Sequence, residues 1–407
     1  MDKIELLAPA GDLEKLIIAV DYGADAVYFG GEDFSLRAGA SNFNIPDIKK
    51  GIEYAHGKGK KCYLAVNIYL HNDDVSRLIS YLNEVKDFGI DAYIASDPGV
   101  IEILKEIAPD AAIHLSTQAN MTNYRAAKFW AGLGIKRIVL ARELTINEIC
   151  KLKEELNNSV ELEAFIQGAM CISYSGRCLL SNFMIERDAN MGMCAHPCRW
   201  KYAIMEEQRP GEYYPVEEDG RGTYIMNSKD LCMIEHLPEL INAGVSSVKI
   251  EGRMKSVFYV ATVVGAYRKA IDSYYYDPEN YIFQPDFMSE LNKASHREFT
   301  TGFYFDKPTN ADQNYQTGDY NREYAFIGIV KSYDYKTGFA TVEQRNKMTV
   351  GEEIEVFGPH TGYFTQIITE MYDEEGVFTE SAPHPQQILK IKMDRPAGVN
   401  FMLRRKN

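Results

Sequence analysis

The chain alternates short apolar segments with longer amphipathic ones, and this repeat restricts its fold more than any other feature. Amphipathic segments such as DLEKLIIAVDYGA (12–24) and VSRLISYLNEVKDFG (75–89) have helical spacing and carry Gly near their ends. Repeated strand–helix units predict a parallel sheet covered by helices, and eight units predict a (β/α)8, TIM-like barrel. The eight predicted strands are 4–9, 26–31, 62–70, 92–96, 112–118, 137–144, 161–167 and 247–253.

A doubly wound open sheet is the alternative arrangement for the same repeat. No G-x-G-x-x-G follows the first predicted strand, so a dinucleotide-binding version of that fold has no support in the sequence. The connection between the seventh and eighth strands, 168–246, is too long for one helix, and we interpret it as an inserted loop region. In a barrel such a loop leaves the C-terminal face, where active sites are built.

The remainder of the chain divides into three parts. Residues 255–276 have helical spacing and close the barrel, so a catalytic barrel domain is predicted over 1–276. Residues 277–321 are polar and rich in Asn, Tyr and Gly, and we interpret them as a linker. From 322 to 407, short β segments separated by turns predict a small antiparallel β-barrel domain.

Charge and cysteine usage indicate the compartment and the chemistry. The N-terminus lacks the pattern of a signal peptide, and no apolar run reaches the roughly 18 residues of a membrane helix, so we expect a cytoplasmic protein without a membrane partner. A net charge of −14 argues against non-specific nucleic-acid binding. In a reducing compartment, clustered cysteines indicate metal or redox chemistry. The isolated Cys62, Cys150 and Cys232 are expected to be small buried hydrophobes.

Four of the seven cysteines, Cys171, Cys178, Cys194 and Cys198, cluster within the inserted region with the spacing C-x6-C-x15-C-x3-C. Zinc sites typically use closer pairs such as C-x2-C. Four thiolates on irregular loops suit a [4Fe–4S] cluster, in which each iron takes one thiolate. The spacing leaves three alternatives open, namely an iron–sulfur cluster, a Zn site, or cysteines that are unligated or disulfide-bonded.

The same region matches a signature of the U32 peptidase (collagenase-like) family, which the chain resembles. The signature E-x-F-x2-G-[SA]-x-C-x4-G-x-C-x2-S is met by Glu163, Phe165, Gly168, Ala169, Cys171, Gly176, Cys178 and Ser181. Further segments that resemble the family are LLAPAG near the start, FSLRAGASNF (34–43), HLSTQANMTN (114–123), NSKDL (227–231) and KIEGRMKS (249–256). The resemblance covers about residues 1–275, and the β appendage is similar to the family's C-terminal domain.

The resemblance implies a function that the family name does not describe. The family includes bacterial proteins that hydroxylate RNA or quinone precursors and hold an iron–sulfur cluster on four cysteines, here Cys171, Cys178, Cys194 and Cys198. The chain is most similar to the branch that forms 5-hydroxyuridine at the wobble position of tRNA and depends on prephenate. The implied cofactor is a [4Fe–4S] cluster, and the implied partners are tRNA and prephenate or a related carboxylate. A further hypothesis is a non-catalytic binding subunit that works only with a homologous U32-family partner subunit.

Cationic residues at predicted strand ends are candidates for binding a small carboxylate. Arg37, Arg142 and Arg253, together with Lys229 and Lys249, fall at or beyond such ends. Arginine binds carboxylates through two parallel hydrogen bonds, as a dicarboxylate or phosphate ligand requires. The alternative is that each pairs with an acid on the barrel rim.

Several uncharged or acidic residues complete the predicted site. Glu163 and Glu251 on strands seven and eight are catalytic candidates because neighbouring buried carboxylates can share a proton or orient an arginine. His114 is a third catalytic candidate, with a core histidine as the alternative. Gln118 on strand five and Asn67 at the end of strand three are candidate substrate-binding residues.

A peptidase is the competing function. The sequence has neither an H-E-x-x-H zinc motif nor a G-x-S-x-G nucleophile turn, and no base is evident for Ser175 or Ser181. In the C-terminal domain, aromatic residues would stack RNA bases and terminal basic residues would contact phosphates, unless they form the domain core and a solvated tail. These residues are Tyr333, Tyr335, Phe339, Arg404, Arg405 and Lys406.

Overall fold

A computed structural model of the 407-residue chain describes most of the sequence. The described residues are 3–32, 34–35, 42–171, 173–175, 177–187, 189, 194–199, 203–205, 213–215, 229–306 and 321–407.

The described residues form parallel and antiparallel strands joined by helices and loops. The strands are β1 (Glu5–Pro9), β2 (Ala26–Gly30), β3 (Lys61–Ala65), β4 (Ala92–Ala95), β5 (Ala112–Leu115), β6 (Arg137–Val139), β7 (Glu161–Ala169), β8 (Ala203–Met205), β9 (Tyr213–Pro215), β10 (Asp230–Cys232), β11 (Ser247–Ile250), β12 (Phe299–Thr300), β13 (Tyr324–Asp334), β14 (Phe339–Gln344), β15 (Met348–Thr349), β16 (Glu353–Phe357), β17 (Tyr363–Ile367), β18 (Met371–Tyr372), β19 (Ser381–Ala382), β20 (Ile388–Lys392) and β21 (Met402–Lys406). The helices are α1 (Leu13–Asp21), α2 (Ile45–Gly57), α3 (Val75–Val85), α4 (Pro98–Ile107), α5 (Tyr124–Gly132), α6 (Ile146–Leu156), α7 (Leu180–Ile185), α8 (Leu237–Asn242), α9 (Val257–Tyr276) and α10 (Pro285–Lys293).

Strands β1 to β7 and β11 form a closed parallel barrel. Each strand pairs with its neighbour in chain order, and β11 pairs with both β1 and β7, which closes the ring. The predicted TIM-like barrel is therefore confirmed, and the open doubly wound alternative is wrong. All eight carboxyl ends meet at one face of the barrel, and the long insertion begins there, directly after β7.

The helices around the barrel begin at polar capping residues. Asp12, Asn44, Asp97 and Asn123 accept hydrogen bonds from backbone N–H groups in the first turns of α1, α2, α4 and α5. In α6, Thr145 and Glu148 form a reciprocal capping box. These caps satisfy N–H groups that have no partner within the helix, so they fix where each helix begins.

Apolar side chains fill both sides of the barrel wall. The main core lies between the strands and the surrounding helices. A smaller cluster inside the barrel includes Leu7, Tyr28, Tyr63 and Ile94. Burial on both faces explains why the strands read as continuous apolar runs.

The insertion after β7 contributes one further strand to the barrel sheet. In β10, Asp230, Leu231 and Cys232 pair antiparallel with the end of β7, and β12 pairs parallel with β10. Before β10, the described residues include α7, a turn at Pro197–Arg199 and the β8–β9 hairpin. The insertion is therefore tied to the sheet at both of its ends.

The segment interpreted as a linker contains regular structure in its described part. Helix α10 packs against α9 and buries Phe287 and Leu291, and strand β12 follows it. The chain then enters an antiparallel sheet with the strand order β17-β16-β21-β13-β14-β20-β18, which forms a half-barrel. This is the small C-terminal β domain that the sequence predicts.

Aromatic and ionic contacts join the two domains. Phe258 of α9 stacks on Phe326 with ring centroids 5.5 Å apart. Arg404, expected to contact phosphates, is fully buried in this interface, where its Nε lies 2.7 Å from Glu355 and its Nη2 lies 2.9 Å from Glu290. None of the helices among the described residues combines the length and the apolar character needed to cross a bilayer.

Candidate active site

A cavity opens at the carboxyl ends of the barrel strands. Its volume is about 150 Å³, a size in which a six-membered ring fits. Residues from seven of the barrel strands or the loops after them line it, including Asn67, Gln118, Arg142 and Lys249. The insertion after β7 supplies one side of the wall. Active sites of TIM-like barrels are built at this face.

All four clustered cysteines border this cavity. Cys171 follows β7, Cys178 precedes α7, and Cys194 and Cys198 come from the next described part of the insertion. All seven cysteines of the chain lie among the described residues, and none of them forms a disulfide bond. The sequence-predicted set is thus brought to one cavity with its thiols chemically available.

The arrangement of the thiols bears on which inorganic centre fits. Across the described part of the chain, no three Cys, His, Asp or Glu side chains are placed to bind a single metal ion. A [4Fe–4S] cluster requires a different geometry, because each thiolate binds a different iron and the four sulfurs surround the cluster. Four thiols that border a common cavity would supply the donors of such a cluster, and the iron–sulfur and Zn alternatives both stay predictions.

Arg142 links the cysteines to the rest of the cavity. Its Nη1 lies 3.9 Å from Sγ of Cys171 and donates to Oγ of Ser175 at 2.9 Å. Its Nη2 donates to the carboxylate of Glu251 at 3.1 Å. The guanidinium also lies 3.9 Å from the ring centroid of Phe165. Because these contacts use different edges and a face of the guanidinium, they fix its orientation closely.

Strand β11 and the turn after it place three more charged side chains at the cavity. Lys249, Glu251 and Arg253 alternate along the chain, and all three line the cavity. Nζ of Lys249 lies 2.8 Å from the carboxylate of Glu163 and 4.4 Å from the ring centroid of Tyr28. With Arg142, the cavity contains three cations and one lining carboxylate, which favours an anionic ligand.

A glycine permits the close approach of β7 to the turn after β11. Gly168 has a φ of +108°, a region that favours glycine. A Cβ atom at this position would lie 2.7 Å from the carbonyl oxygen of Glu251. The hydrogen-bond register between β7 and β11 also shifts at Lys249 and Ile250. This local geometry places Glu251 next to Arg142.

Glu163 and His114 lie deeper in the barrel and are not among the residues that line the cavity. Glu163 is fully buried and pairs with Lys249 and, at 3.4 Å, with Arg137. Arg137 in turn pairs with Glu5, the first residue of β1. These contacts belong to a buried charge network that extends toward the amino ends of the strands. The placement gives Glu163 a positioning role toward Lys249 rather than contact with a cavity ligand.

His114 is packed edge-on against Tyr63, with ring centroids 4.7 Å apart. Its Nδ1 is buried and has no hydrogen-bond partner among the described residues. Burial, followed by the positive charge of Arg137, lowers the pKa of His114 well below its ordinary value. The ring is therefore neutral and matches the core histidine that the sequence allowed as an alternative.

The other predicted residues divide between the cavity and the undescribed part of the chain. Asn67, Gln118, Arg142, Arg253 and Glu251 line the cavity. Arg37 lies outside the described residues.

The sequence did not indicate a site role for several cavity residues, among them Tyr28, Phe165 and Ser175. Tyr28 and Phe165 belong to strands and resemble ordinary core residues in the sequence. The alternation of Glu163, Phe165 and Gln167 along β7 gave a signal for Phe165. The contact of Ser175 with Arg142 depends on the loop conformation, so no spacing rule indicates it.

Comparisons with known proteins find the same family for both parts of the chain. The sequence model of "Peptidase family U32" matches residues 11–314, and that of the "Peptidase family U32 C-terminal domain" matches residues 322–404. Three relatives illustrate the range of names attached to similar chains. They are "tRNA hydroxylation protein P1" of Bacillus subtilis, 43% identical over 99% of this chain and 95% of the relative; "tRNA hydroxylation protein P" of Escherichia coli K12, 37% identical over 100% and 97%; and "Collagenase" of Porphyromonas gingivalis, 32% identical over 91% and 90%.

Proposed function

The chain belongs to peptidase family U32, and we propose that it is a tRNA-hydroxylating enzyme that converts wobble uridine to 5-hydroxyuridine. Two relatives that align with nearly the whole chain are named for tRNA hydroxylation. The observation that most supports this proposal is that all four cysteines of the insertion border the same cavity as Arg142, Lys249 and Arg253. The proposed redox centre and the proposed anion-binding surface would therefore lie together at the face where barrel enzymes perform chemistry.

The proposed cofactor is a [4Fe–4S] cluster held by Cys171, Cys178, Cys194 and Cys198. Hydroxylation replaces the C5–H bond of uridine with a C5–O bond, so it needs an oxygen donor, and it removes two electrons from the base, so it also needs an external two-electron oxidant. A redox-active centre suits such a reaction. When bound, the cluster supplies one-electron transfer beside the cavity. Arg142 contributes a positive charge and an N–H group next to Cys171. Such contacts to ligand sulfurs tune the reduction potential of a cluster.

The proposed small ligand is prephenate or a related carboxylate. Arg142 and Lys249 already contact the carboxylates of Glu251 and Glu163, so both are oriented before a ligand arrives. A dicarboxylate would take hydrogen bonds from Arg142, Lys249 and Arg253, and the side-chain amides of Asn67 and Gln118 would contact its uncharged polar groups. The cavity volume limits the ligand to a small molecule, so the uridine would approach from the mouth.

The proposed location is the cytoplasm, where tRNA is available. A homologous U32-family subunit is the proposed second component of the enzyme. Co-purification from cells that express a tagged chain tests the second component. A stoichiometric second U32 chain would support it, and a homogeneous single chain that restores hydroxylation in a host without other U32 genes would exclude it.

Mass spectrometry of tRNA nucleosides from a deletion strain is the decisive experiment. The proposal expects 5-hydroxyuridine and its derivatives to disappear on deletion and to return with the wild-type gene but not with a Cys178→Ala gene. Protein purified without oxygen should be brown and contain about four irons per chain, from one iron per cysteine ligand. Unchanged nucleosides in the deletion strain would refute the function, and a colourless protein with stoichiometric zinc would refute the cofactor.

A collagenase-like peptidase is the second candidate, because one relative carries the name "Collagenase". A hydrolase of this kind needs an activated nucleophile or a metal-bound water. The hydroxyl of Ser175 accepts a hydrogen bond from Arg142, which cannot serve as a general base. Cleavage of gelatin by the purified protein, abolished by Ser175→Ala, would establish this alternative.

A further inference from the structure

Helix α7 presents large apolar side chains to solvent beside the cysteine cavity. Phe183 is 87% exposed, and Leu179, four residues earlier, is 67% exposed. The backbone N–H of Phe183 donates to the carbonyl oxygen of Leu179, so the two side chains lie on successive turns of one side. Tyr174 is also exposed, and it lines the cavity itself. We call Tyr174, Leu179 and Phe183 the rim cluster.

Helix α7 departs in part from the usual arrangement of apolar residues on the buried side of a helix. Leu180 and Ile185 are partly buried, and Ser181 is buried, where its hydroxyl accepts a hydrogen bond from the backbone N–H of Ala195 at 3.1 Å. Phe183 and Met184, in contrast, are exposed to water. Exposed apolar patches in soluble proteins mark binding surfaces.

Two arginines flank the rim cluster along the chain. Arg177 and Arg187 are both exposed. The guanidinium of Arg177 lies 5.7 Å from the ring centroid of Tyr69, whose hydroxyl donates to the backbone carbonyl of Gln118 at 2.8 Å. Arg177 is therefore connected to the cavity wall. Arg187 lies between Glu186 and Asp188 in the sequence, so the positive charge beside the aromatic patch comes mainly from Arg177, and it favours an anionic partner with flat rings.

We propose that the rim cluster stacks an unpaired nucleobase of a single-stranded RNA loop, while Arg177 and Arg187 contact its phosphates. This inference rests on the proposed function, in which the substrate is tRNA. Single-stranded RNA is recognised by bases stacked on aromatic side chains and by arginines at the backbone. Enzymes that modify a base hold it out of its stack. The rim cluster provides such a surface at the mouth of the cavity that contains the proposed chemistry.

The test measures RNA affinity of the full-length protein with matched variants. A fluorescein-labelled anticodon stem-loop RNA is titrated with wild-type protein, Phe183→Ala, Phe183→Trp and Arg187→Gln, and Tyr276→Ala serves as the control. Tyr276 is 91% exposed and lies at the end of α9, away from α7 in the sequence. Binding is followed by fluorescence anisotropy over a range of salt concentrations, and the same alleles are assayed for tRNA hydroxylation in the deletion strain.

Stacking predicts about tenfold weaker binding for Phe183→Ala, near-normal binding for Phe183→Trp, and no change for Tyr276→Ala. Arg187→Gln should reduce the slope of log affinity against log salt by about 0.7, the value for one contact with a single-stranded phosphate. Phe183→Ala should also lower hydroxylation of tRNA in cells.

Three results would overturn the inference. Unchanged RNA affinity and normal hydroxylation with Phe183→Ala would reject the rim cluster and leave the proposed function intact. Conversion of a dimer to a monomer by Phe183→Ala, without a change in RNA affinity, would assign the patch to a contact between protein chains. If deletion of the gene leaves tRNA nucleosides unchanged, the proposed function fails first, and this inference fails with it.

Discussion

Nη1 of Arg142 lies 3.9 Å from Sγ of Cys171, so one side chain connects the cysteine-bordered wall of the cavity with its charged wall. The same guanidinium contacts Glu251 at 3.1 Å and Ser175 at 2.9 Å. Arg142 follows β6, whereas Cys171 and Glu251 follow β7 and β11, so the contact depends on barrel closure. It brings together three parts of the chain that are distant in the sequence.

Replacement of Arg142 is expected to impair hydroxylation without unfolding the protein. Arg142→Gln should lower 5-hydroxyuridine formation by roughly 10- to 100-fold, because hydrogen bonds to charged groups contribute about 1.5–3 kcal/mol. Arg142→Lys should retain little of the 5-hydroxyuridine formation, since one ammonium group cannot reproduce the branched contacts of the guanidinium or its stacking on Phe165. The measurement is nucleoside mass spectrometry together with the thermal unfolding midpoint. Full activity in Arg142→Gln would contradict the assignment.

Replacement of Glu163 is expected to act mainly on stability. Glu163→Gln leaves Lys249 and Arg137 buried with less compensating charge, and breaking a buried ion pair costs about 3–5 kcal/mol of unfolding free energy. The double variant Glu163→Gln/Lys249→Gln should recover part of this loss. Urea denaturation of the full chain measures both effects. A Glu163→Gln protein of normal stability that has lost activity would instead support a direct catalytic role.

The buried imidazole of His114 should make the protein less stable in mild acid. Burial, with the charges of Arg137 and Lys249 as further causes, lowers the pKa of His114, whereas an unfolded histidine has a pKa of about 6.5. The unfolded state therefore binds a proton that the folded state excludes. The contribution of His114 to stability is present above about pH 6.5 and is lost as the pH falls toward the folded pKa, by at most about 1.4 kcal/mol per pH unit.

His114→Gln should consequently lose less unfolding free energy than the wild type between pH 7.5 and 5.5. Urea midpoints at both pH values measure the difference, and a His384→Gln variant, changed at an exposed position of the C-terminal domain, is the control. Equal losses of unfolding free energy between the two pH values in wild type and His114→Gln would show that His114 does not cause the acid sensitivity.

Gly168→Ala should disturb the site through the backbone. The new methyl group would meet the carbonyl oxygen of Glu251 at a positive φ, and such strain costs about 1–3 kcal/mol. We expect a lower thermal midpoint and reduced hydroxylation. Gly132→Ala is the matched control, because a Cβ there has open space around it at the end of α5, and it should be neutral or slightly stabilising. Equal behaviour of the two variants would exclude the proposed clash.

The sequence predicted the barrel well because its signal is local and repeated. Every strand is short and apolar, and every intervening helix has a polar cap or an amphipathic stripe, so each unit is readable by itself. The positions of Asn67, Gln118 and Arg253 at the cavity also followed from the rule that strand ends meet at one face. Arg37, predicted by the same rule, lies outside the described residues.

Contacts between distant segments were not readable in the same way. Glu163 and Glu251 have the same residue type and both lie on or just after barrel strands, yet one is buried below the cavity and the other lines it. Their difference depends on how far along its strand each residue lies relative to the cavity, and on the register shift at Lys249 and Ile250. Arg404 was similarly misread, because a basic residue near a chain end resembles a solvated tail unless its acidic partners are known.

Arg404 is expected to hold the C-terminal domain on the barrel. Its guanidinium is fully buried, contacts Glu355 of β16 and Glu290 of α10, and lies 4.4 Å from the ring centroid of Phe357. Although burial opposes ionisation, the hydrogen bond from Lys293 and the charge of Arg404 lower the pKa of Glu355. The ionised Glu355 therefore stabilises the folded protein fully above its unfolded pKa of about 4.3, and this stabilisation is lost as the pH falls through its lower folded pKa.

Arg404→Met should lower the unfolding free energy by about 3 kcal/mol, the lower end for breaking a buried ion pair, because Glu290 and Glu355 keep Lys293 as a cationic partner. Arg405→Met is the matched control on the same strand. It removes the partly exposed pair with Glu352 and an exposed hydrogen bond to the carbonyl oxygen of Lys347, and a loss of about 1 kcal/mol or less is expected. Differential scanning calorimetry of the full chain should show the C-terminal domain of Arg404→Met unfolding in a separate, earlier transition, whereas Arg405→Met keeps the wild-type profile. Identical profiles for the two variants would show that the ion cluster around Arg404 does not couple the domains, and that the Phe258–Phe326 stack carries the contact.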